Sequence, residues 1–149
     1  MSIFTEAEAK AILDKVVALS SADECTATLS GGNSGNIRFA LNNVSTSGIV
    51  DNVELGVSVA FGKRVGTATI NEFDDASLER VVRRAEELAR LAPENPEFVP
   101  AIGRQTYSPT GTHSAATAAI TPEYRAQVAA DSIAPCRSSG LVAAGFLED

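Results

Sequence analysis

The chain has 149 residues, of which 44% are apolar, and it carries a formal net charge of −7 at pH 7. This length and composition fit one domain with a core, or one domain and an extension, and exclude collagen, a coiled coil and a disordered tail. The negative charge disfavours a nucleic-acid partner, because a polyanion would meet a repulsive average field.

The N-terminal stretch MSIFTEAEAK is acidic and lacks the basic start and long apolar run of a signal peptide. No segment approaches the roughly 18 continuous apolar residues of a membrane span. We therefore expect a protein of the cytoplasm with no membrane partner. Cys25 and Cys136 lie far apart with no Cys-x-x-Cys or Cys/His pairing, which favours small core thiols over a disulfide or a metal site.

The first element is a predicted helix over residues 6–20. Thr5 and Glu8 have the spacing of a capping box, and the apolar residues that follow fall along one helix face. Period-two alternation then predicts strands at residues 25–30 and 36–42. The glycine-rich stretch between them resembles a phosphate loop, but a strand follows it where a phosphate loop requires a helix, so a hairpin turn over residues 31–35 is favoured.

Three further strands complete the predicted sheet. A weakly patterned strand over residues 44–50 is expected to break at Gly48, and a clear hairpin joins strands 53–61 and 65–70 through a turn at residues 62–64. An amphipathic helix follows, capped by Asp74 or Asp75 and stopped by Pro93. The order of elements predicts an α+β fold: an antiparallel sheet of about five strands with flanking helices.

The character of the sequence changes between Pro93 and Thr121. Proline, serine, threonine and alanine dominate a long connection up to Thr121, which with Pro122 begins a helix that runs to about Ile133. The final stretch GLVAAGFLED reads as the first strand of a second unit. We therefore predict an N-terminal α+β domain over residues 1–100, and a linker, a helix and the start of a truncated second domain over residues 101–149.

Few residues invite a chemical interpretation. His113 is the single histidine, and no ligand set surrounds it in the sequence, so a solvated loop histidine is favoured over a zinc ligand. Four polar residues lie on predicted strands or turns: Arg38, Asn42, Asn43 and Arg64. The simpler interpretation is a solvated sheet face. The alternative is a docking surface for an extended peptide.

Three features between Ile37 and Pro100 form a recognisable pattern: an arginine in the strand before a polar turn, the hairpin ELGVSVAFGKRVGTATIN, and the helix DDASLERVVRRAEELARLAPENP, which ends in prolines. This pattern resembles the N-terminal domain of the TldD/PmbA family of metallopeptidases, which are also called modulators of DNA gyrase. GLVAAGFLED is similar to the point where family members enter their next sheet. With the first helix, the resemblance covers most of the chain.

The resemblance implies a non-catalytic domain of a zinc metallopeptidase. Active members bear a His-Glu-x-x-x-His helix in a later region, whereas this chain has one histidine, so no catalytic residue and no metal ligand carry over. Zinc would belong to the full-length parent, of either the catalytic or the metal-free type. The family further implies homo- or heterodimers and a peptide substrate, with this domain in the chamber wall. A freestanding protein-interaction module that regulates a partner such as DNA gyrase is the alternative.

Overall fold

A computed structural model of the chain describes residues 4–103, 105–108 and 110–149. In chain order the elements are α1 Glu6–Leu19, β1 Glu24–Ala40, β2 Asn43–Phe61, β3 Arg64–Ile70, α2 Asp75–Leu91, α3 Ala115–Ala118, α4 Pro122–Ser138 and β4 Gly145–Glu148. The strands form one antiparallel sheet in the order β3-β2-β1-β4. The α+β class predicted from the sequence is confirmed.

The described residues divide into two compact units. The α1 unit contains residues 4–31, 53–103 and 105–108, and the α4 unit contains residues 32–52 and 110–149. β1 and β2 each contribute residues to both units. The domain boundary at residue 100 stays a prediction.

The sheet has four strands rather than the predicted five. The turn expected over residues 31–35 is wrong, because these residues lie inside the single 17-residue strand β1. The break expected at Gly48 is also wrong, since β2 continues through it from Asn43 to Phe61. A strand can continue through a glycine when the N–H and C=O groups of the glycine find backbone partners in the neighbouring segment. For Gly35 the partner is Asp149, directly after β4, through two hydrogen bonds of 3.0 Å.

The turn between β1 and β2 is formed by Leu41 and Asn42. Both have left-handed backbone angles, with φ of 51° and 61°. Two consecutive left-handed residues match the type I′ turn, whose twist suits an antiparallel hairpin. The predicted hairpin between β2 and β3 is confirmed, with Gly62 at φ 58° and β3 starting at Arg64.

The core of the α1 unit lies between α2 and the strands β2 and β3. Its fully buried apolar residues are Val16, Leu55, Val57, Val59, Leu78, Val81, Val82, Ala85 and Ala89. The predicted helix starts are confirmed: Thr5 and Glu8 form the capping box of α1, and Asp74 caps α2 by accepting from Ala76 and Ser77 N–H groups. Each cap satisfies amide groups that a helix start leaves without partners.

The α4 unit has a smaller core beneath α4. Its buried apolar residues are Ile37, Phe39, Ala129, Ile133 and Ala143. Thr121 caps α4 and Pro122 begins it as predicted, but the predicted end at Ile133 is wrong because the helix continues to Ser138. Pro135 lies in the last turn, where its carbonyl still accepts the Ser139 N–H at 3.2 Å.

None of the helices within residues 4–103, 105–108 and 110–149 is long and apolar enough to cross a membrane.

Candidate functional site

Arg38 lies on the exposed face of β1, directly opposite Phe146 of β4. Its guanidinium carbon is 5.3 Å from the centroid of the Phe146 ring, a cation–π arrangement. Phe146 is 53% exposed, so the pair presents a positive charge and an aromatic ring together. The Arg38 carbonyl also accepts a hydrogen bond of 3.1 Å from the Ser45 hydroxyl of the neighbouring strand.

Asn42 and Asn43 follow at the β1–β2 turn. The Asn42 side chain accepts from the Ala143 N–H at 2.7 Å and donates to the Leu141 carbonyl at 3.0 Å, while its own carbonyl accepts from Arg137 at 2.6 Å. These bonds tie the turn to the segment before β4. The Asn43 side chain is exposed and donates to the Leu41 carbonyl at 2.9 Å.

Arg64 belongs to the other unit. It lies at the start of β3 in the α1 unit, where Nη1 donates to the Arg90 carbonyl at 3.4 Å and Nε lies 3.9 Å from a Glu94 carboxylate oxygen. Arg38, Asn42 and Asn43 are in the α4 unit. The four residues predicted from the sequence are therefore divided between two units.

A buried ion pair in the α4 unit was missed by the sequence analysis. Arg125 of α4 is 2% exposed, and its Nη1 donates to Asp149 Oδ1 at 2.7 Å. Nε of Arg125 is buried without a hydrogen-bond partner among the described residues. Charged groups are rarely buried unless all their polar atoms have hydrogen-bond partners. A buried arginine with an unpaired Nε is therefore unusual.

The ion pair depends on Gly35 of β1. A β-carbon at this position would lie 1.9 Å from Nη1 of Arg125 and 2.1 Å from its guanidinium carbon. The backbone of Gly35 also exchanges two hydrogen bonds of 3.0 Å with Asp149. With the guanidinium in this position a side chain at residue 35 would force Arg125 to move, which gives Gly35 a structural role in β1.

A cavity of about 330 Å³ lies beside this ion pair, within the α4 unit. Its wall includes Asn33, Ile49, His113, Thr117, Arg125 and Asp149. His113 is exposed, in agreement with the predicted loop histidine, and the fold brings it to the same cavity as the buried arginine. No signal in the sequence linked these residues, since they come from five separate segments of the chain.

Metal-binding side chains are not gathered in the part of the chain that the structure describes. Within it, no three of the residue types His, Cys, Asp and Glu lie together as ligands, so these residues do not fit a zinc site. Cys25 and Cys136 are free and half-buried. Burial raises the pKa of the Cys25 thiol, which favours its neutral form.

Glu86 of α2 is the buried carboxylate of the α1 unit. It is 1% exposed and accepts from the Ser21 N–H at 2.7 Å, the Ser21 hydroxyl at 3.0 Å and Arg83 at 2.9 Å. Both of its oxygens therefore have donors. A buried carboxylate whose hydrogen bonds are all made stabilises the fold, and it is a weaker candidate for a ligand-binding residue than Arg125.

Residues 25–89 match the family model described as PmbA/TldA metallopeptidase domain 1. The matched segment is therefore similar to the first domain of that family. The matched segment runs from β1 to α2 and includes Arg38, Asn42, Asn43 and Arg64, whereas Arg125 and Asp149 lie outside it.

Three solved structures share the fold. TldE from Thermococcus kodakarensis has a TM-score of 0.75 at 13% identity, covering 94% of this chain and 32% of its own. A protein from Bacteroides thetaiotaomicron named as a modulator of DNA gyrase has a TM-score of 0.64 at 14% identity, with coverages of 90% and 30%. A protein of the same description from Thermotoga maritima has a TM-score of 0.65 at 12% identity, with coverages of 93% and 32%.

The chain therefore spans about a third of the length of the solved chains that it matches. At these identities the likeness shows the fold alone. No curated protein matches the chain in sequence.

Proposed function

We propose that this chain is a non-catalytic domain of a PmbA/TldD-type metallopeptidase of the cytoplasm. The observation that carries the proposal is the match of residues 25–89 to the first domain of that family. In the proposed arrangement, zinc and the residues that cleave a peptide belong to another part of the full-length protein or to a partner subunit. This domain helps to form a homo- or heterodimer and the substrate chamber.

The histidine content supports a non-catalytic role. The His-Glu-x-x-x-His motif implied by the resemblance needs two histidines, and this chain has only His113. His113 lies in the loop before the four-residue helix α3, not on a helix with a second ligand one turn away. This placement favours a scaffold or substrate-guiding domain.

The exposed Arg38–Phe146 pair supports a peptide-guiding role. β4 is a four-residue strand at one edge of the sheet, and Phe146 lies on it beside Arg38 of β1. An extended peptide that pairs with a sheet edge gains main-chain hydrogen bonds from the edge and specificity from neighbouring side chains. We propose that an acidic or aromatic peptide residue would contact this pair, with Asn43 as a polar neighbour within the same unit.

Metal and peptidase assays test the non-catalytic role. We expect the purified 149-residue chain to bind no stoichiometric zinc by elemental analysis and to leave an unfolded protein such as casein intact. Cleavage that a chelator abolishes, or tight equimolar zinc, would overturn the proposal.

Peptide binding tests the guiding role separately. Arg38→Ala should weaken binding of a fluorescent, extended acidic peptide by about fivefold, corresponding to about 1 kcal/mol for an exposed cation–π or charge contact. Arg84→Ala is the matched control, because Arg84 is an exposed arginine of α2 paired with Glu87. Equal affinities of the two variants would refute a role for Arg38.

A freestanding interaction module is the second candidate, favoured by the two solved structures described as modulators of DNA gyrase. Retention of purified gyrase by the immobilised chain, with a full-length parent that is metal-free and inactive, would support this candidate. The net charge of −7 favours contact with the protein rather than with its DNA.

A further inference from the structure

The strand β2 extends beyond the strand that flanks it on one side. β1 lies on one side of β2, whereas β3, on the other side, pairs with residues 55–61 only. Residues 43–52 are all exposed. Among residues 4–103, 105–108 and 110–149, none of the backbone hydrogen bonds outside the helices and strand ladders involves them. Because alternate residues of an antiparallel strand direct their N–H and C=O groups to each side, residues 44–51 present backbone groups to a further strand, and we call them the free edge.

The composition of the free edge favours pairing with another strand. Soluble proteins protect exposed edges with lysine, proline or very short strands. The free edge has the sequence VSTSGIVD, in which Asp51 is the single charged residue and proline is absent. Val44, Ile49 and Val50 are each about half exposed. β-branched residues of this kind suit a strand with a partner on each side.

A cavity of about 360 Å³ lies beside one end of the free edge, within the α4 unit. Val44 lines it together with residues of the β1–β2 turn and of α4: Asn42, Asn43, Ala126, Ala130, Ile133, Ala134 and Arg137. A strand added beside Val44 would place an apolar side chain between the sheet and α4. The cavity therefore gives the added strand an apolar contact besides its backbone hydrogen bonds.

The two ends of the free edge carry opposite charges. Arg137 is exposed at the Val44 end, where its Nη2 donates to the Asn42 carbonyl at 2.6 Å rather than to a carboxylate. Asp51 is exposed at the other end and accepts from the side-chain amide of Asn33 at 2.6 Å rather than from a cation. A partner strand that complements this edge has an acidic group at one end and a basic group at the other.

A second copy of the free edge meets this requirement. We propose that two chains pair through their free edges, antiparallel and about a two-fold axis. Pairing centred on Gly48 sets Asp51 of one copy opposite Ser45 of the other, at the end that carries Arg137. Two-fold symmetry repeats the contact, so two ion pairs form. A parallel pairing in the same register would instead set the two Asp51 carboxylates opposite each other, where like charges destabilise a sheet.

The pairing rests on the dimer of the proposed function and adds the surface that forms it. An unrelated peptide would match the two charged ends only by coincidence, whereas a second copy matches both by symmetry. The strand order places the free edge on the opposite side of the sheet from β4. A peptide at the Arg38–Phe146 pair and a second copy at the free edge would therefore not compete.

Sedimentation equilibrium of the 149-residue chain measures the association. We expect a mass that rises with concentration toward that of two chains. Asp51→Lys should raise the dissociation constant about tenfold, the effect of losing two exposed ion pairs. Arg137→Glu should weaken association similarly, and combining the two substitutions should restore it because the reversed charges attract again. Asp131→Lys is the matched control, since Asp131 is an exposed aspartate that also accepts from a side-chain amide, that of Gln127 at 2.8 Å.

Hydrogen exchange provides the second measurement. Amides of the free edge should become more protected as the concentration of the chain rises, while those of α2 stay unchanged. The mass of one chain at every concentration up to roughly 1 mM, the Kd of a very weak complex, would overturn the proposal. Protection of the free edge only by an added peptide, in a chain that stays monomeric, would do the same.

The variants separate this surface from dimer formation as such. A dimer that Asp51→Lys and Asp131→Lys weaken equally, or that the double variant fails to restore, would refute the free edge as the interface. The dimer of the proposed function would then stand on another surface, and the zinc and casein assays would be unaffected.

Discussion

Glu86 accepts two hydrogen bonds from Ser21, one from the backbone N–H at 2.7 Å and one from the hydroxyl at 3.0 Å, across 65 residues of sequence. The contact joins α2 to the segment between α1 and β1. A buried carboxylate must keep its hydrogen-bond donors. The contact with Ser21 therefore fixes which face of α2 is buried more tightly than its apolar residues alone would.

Glu86→Gln should destabilise the protein by about 1–3 kcal/mol, because the neutral amide accepts the Ser21 bonds more weakly and no longer pairs with Arg83. Urea unfolding followed by circular dichroism measures the change. Glu87→Gln is the control, since the adjacent Glu87 is exposed and its pair with Arg84 should contribute about 0–1 kcal/mol. Equal losses in the two variants would contradict the structural role of Glu86.

The contribution of Glu86 should also depend on pH. Burial raises the pKa of this carboxyl, but the bonds from Ser21 and Arg83 outweigh burial and hold the pKa below its ordinary value of 4.5. As pH falls below 4.5, the unfolded chain takes up the proton first, so stabilisation by Glu86 is lost as pH passes through the folded pKa. The stability difference between the wild type and Glu86→Gln should therefore be constant above that range and narrow below it.

Other carboxylates do not confuse this comparison. The pKa values of Glu8 and Asp74 are also lowered, through hydrogen bonds at the helix caps. Both groups are present in the wild type and in Glu86→Gln, so their effects cancel in the difference. A stability difference between the wild type and Glu86→Gln that grows as the pH falls would contradict this, because it would mean that folding raises the pKa of Glu86.

Gly66 of β3 should not tolerate a side chain. A β-carbon there would lie 2.2 Å from the Ala89 backbone nitrogen and 2.3 Å from the Ala85 carbonyl oxygen, so α2 would have to move off the sheet. Gly66→Ala should destabilise by at least about 1–3 kcal/mol, the usual cost of overpacking. Thermal unfolding measures it.

Gly56→Ala is the matched control for Gly66→Ala, because both glycines lie in the paired strands β2 and β3. The nearest atoms to a β-carbon at Gly56 are 3.9 and 4.0 Å away, at an ordinary contact distance. This variant should be neutral or gain up to about 1 kcal/mol, because alanine restricts the unfolded chain. A similar loss in both variants would mean that the helix contact is not the cause.

The sequence predicted the features that depend on neighbouring residues. The capping residues Thr5, Asp74 and Thr121 locate three helix starts, since a cap bonds to amides two or three positions away. The sequence-based prediction divided the long strands β1 and β2 wrongly, because glycine occurs both in turns and within strands. Gly62 is a left-handed turn residue, whereas Gly35 is a strand residue that accommodates a side chain from α4, and the sequence around Gly35 does not reveal that distant neighbour.

The candidate cavity could not be predicted for the same reason. Arg125 and Asp149 are 24 residues apart, and they meet only because β4 pairs with β1 beside Gly35. Too few apolar residues recur along one face of α4 to predict which face is buried, so the sequence favours an exposed position for Arg125. Arg38 was easier to single out because its alternation with Ile37 and Phe39 places it on the open face of the strand.

Leu41 occupies a position in the β1–β2 turn that suits asparagine or glycine better. Its φ of 51° is left-handed, which costs a branched apolar residue about 1–2 kcal/mol, and its side chain is 75% exposed and so recovers little by burial. Leu41→Asn should therefore stabilise the protein by about 1 kcal/mol. Leu91→Asn controls for removal of an exposed leucine, since Leu91 is 76% exposed at the end of α2. A gain in Leu91→Asn, or none in Leu41→Asn, would show that turn strain does not limit stability.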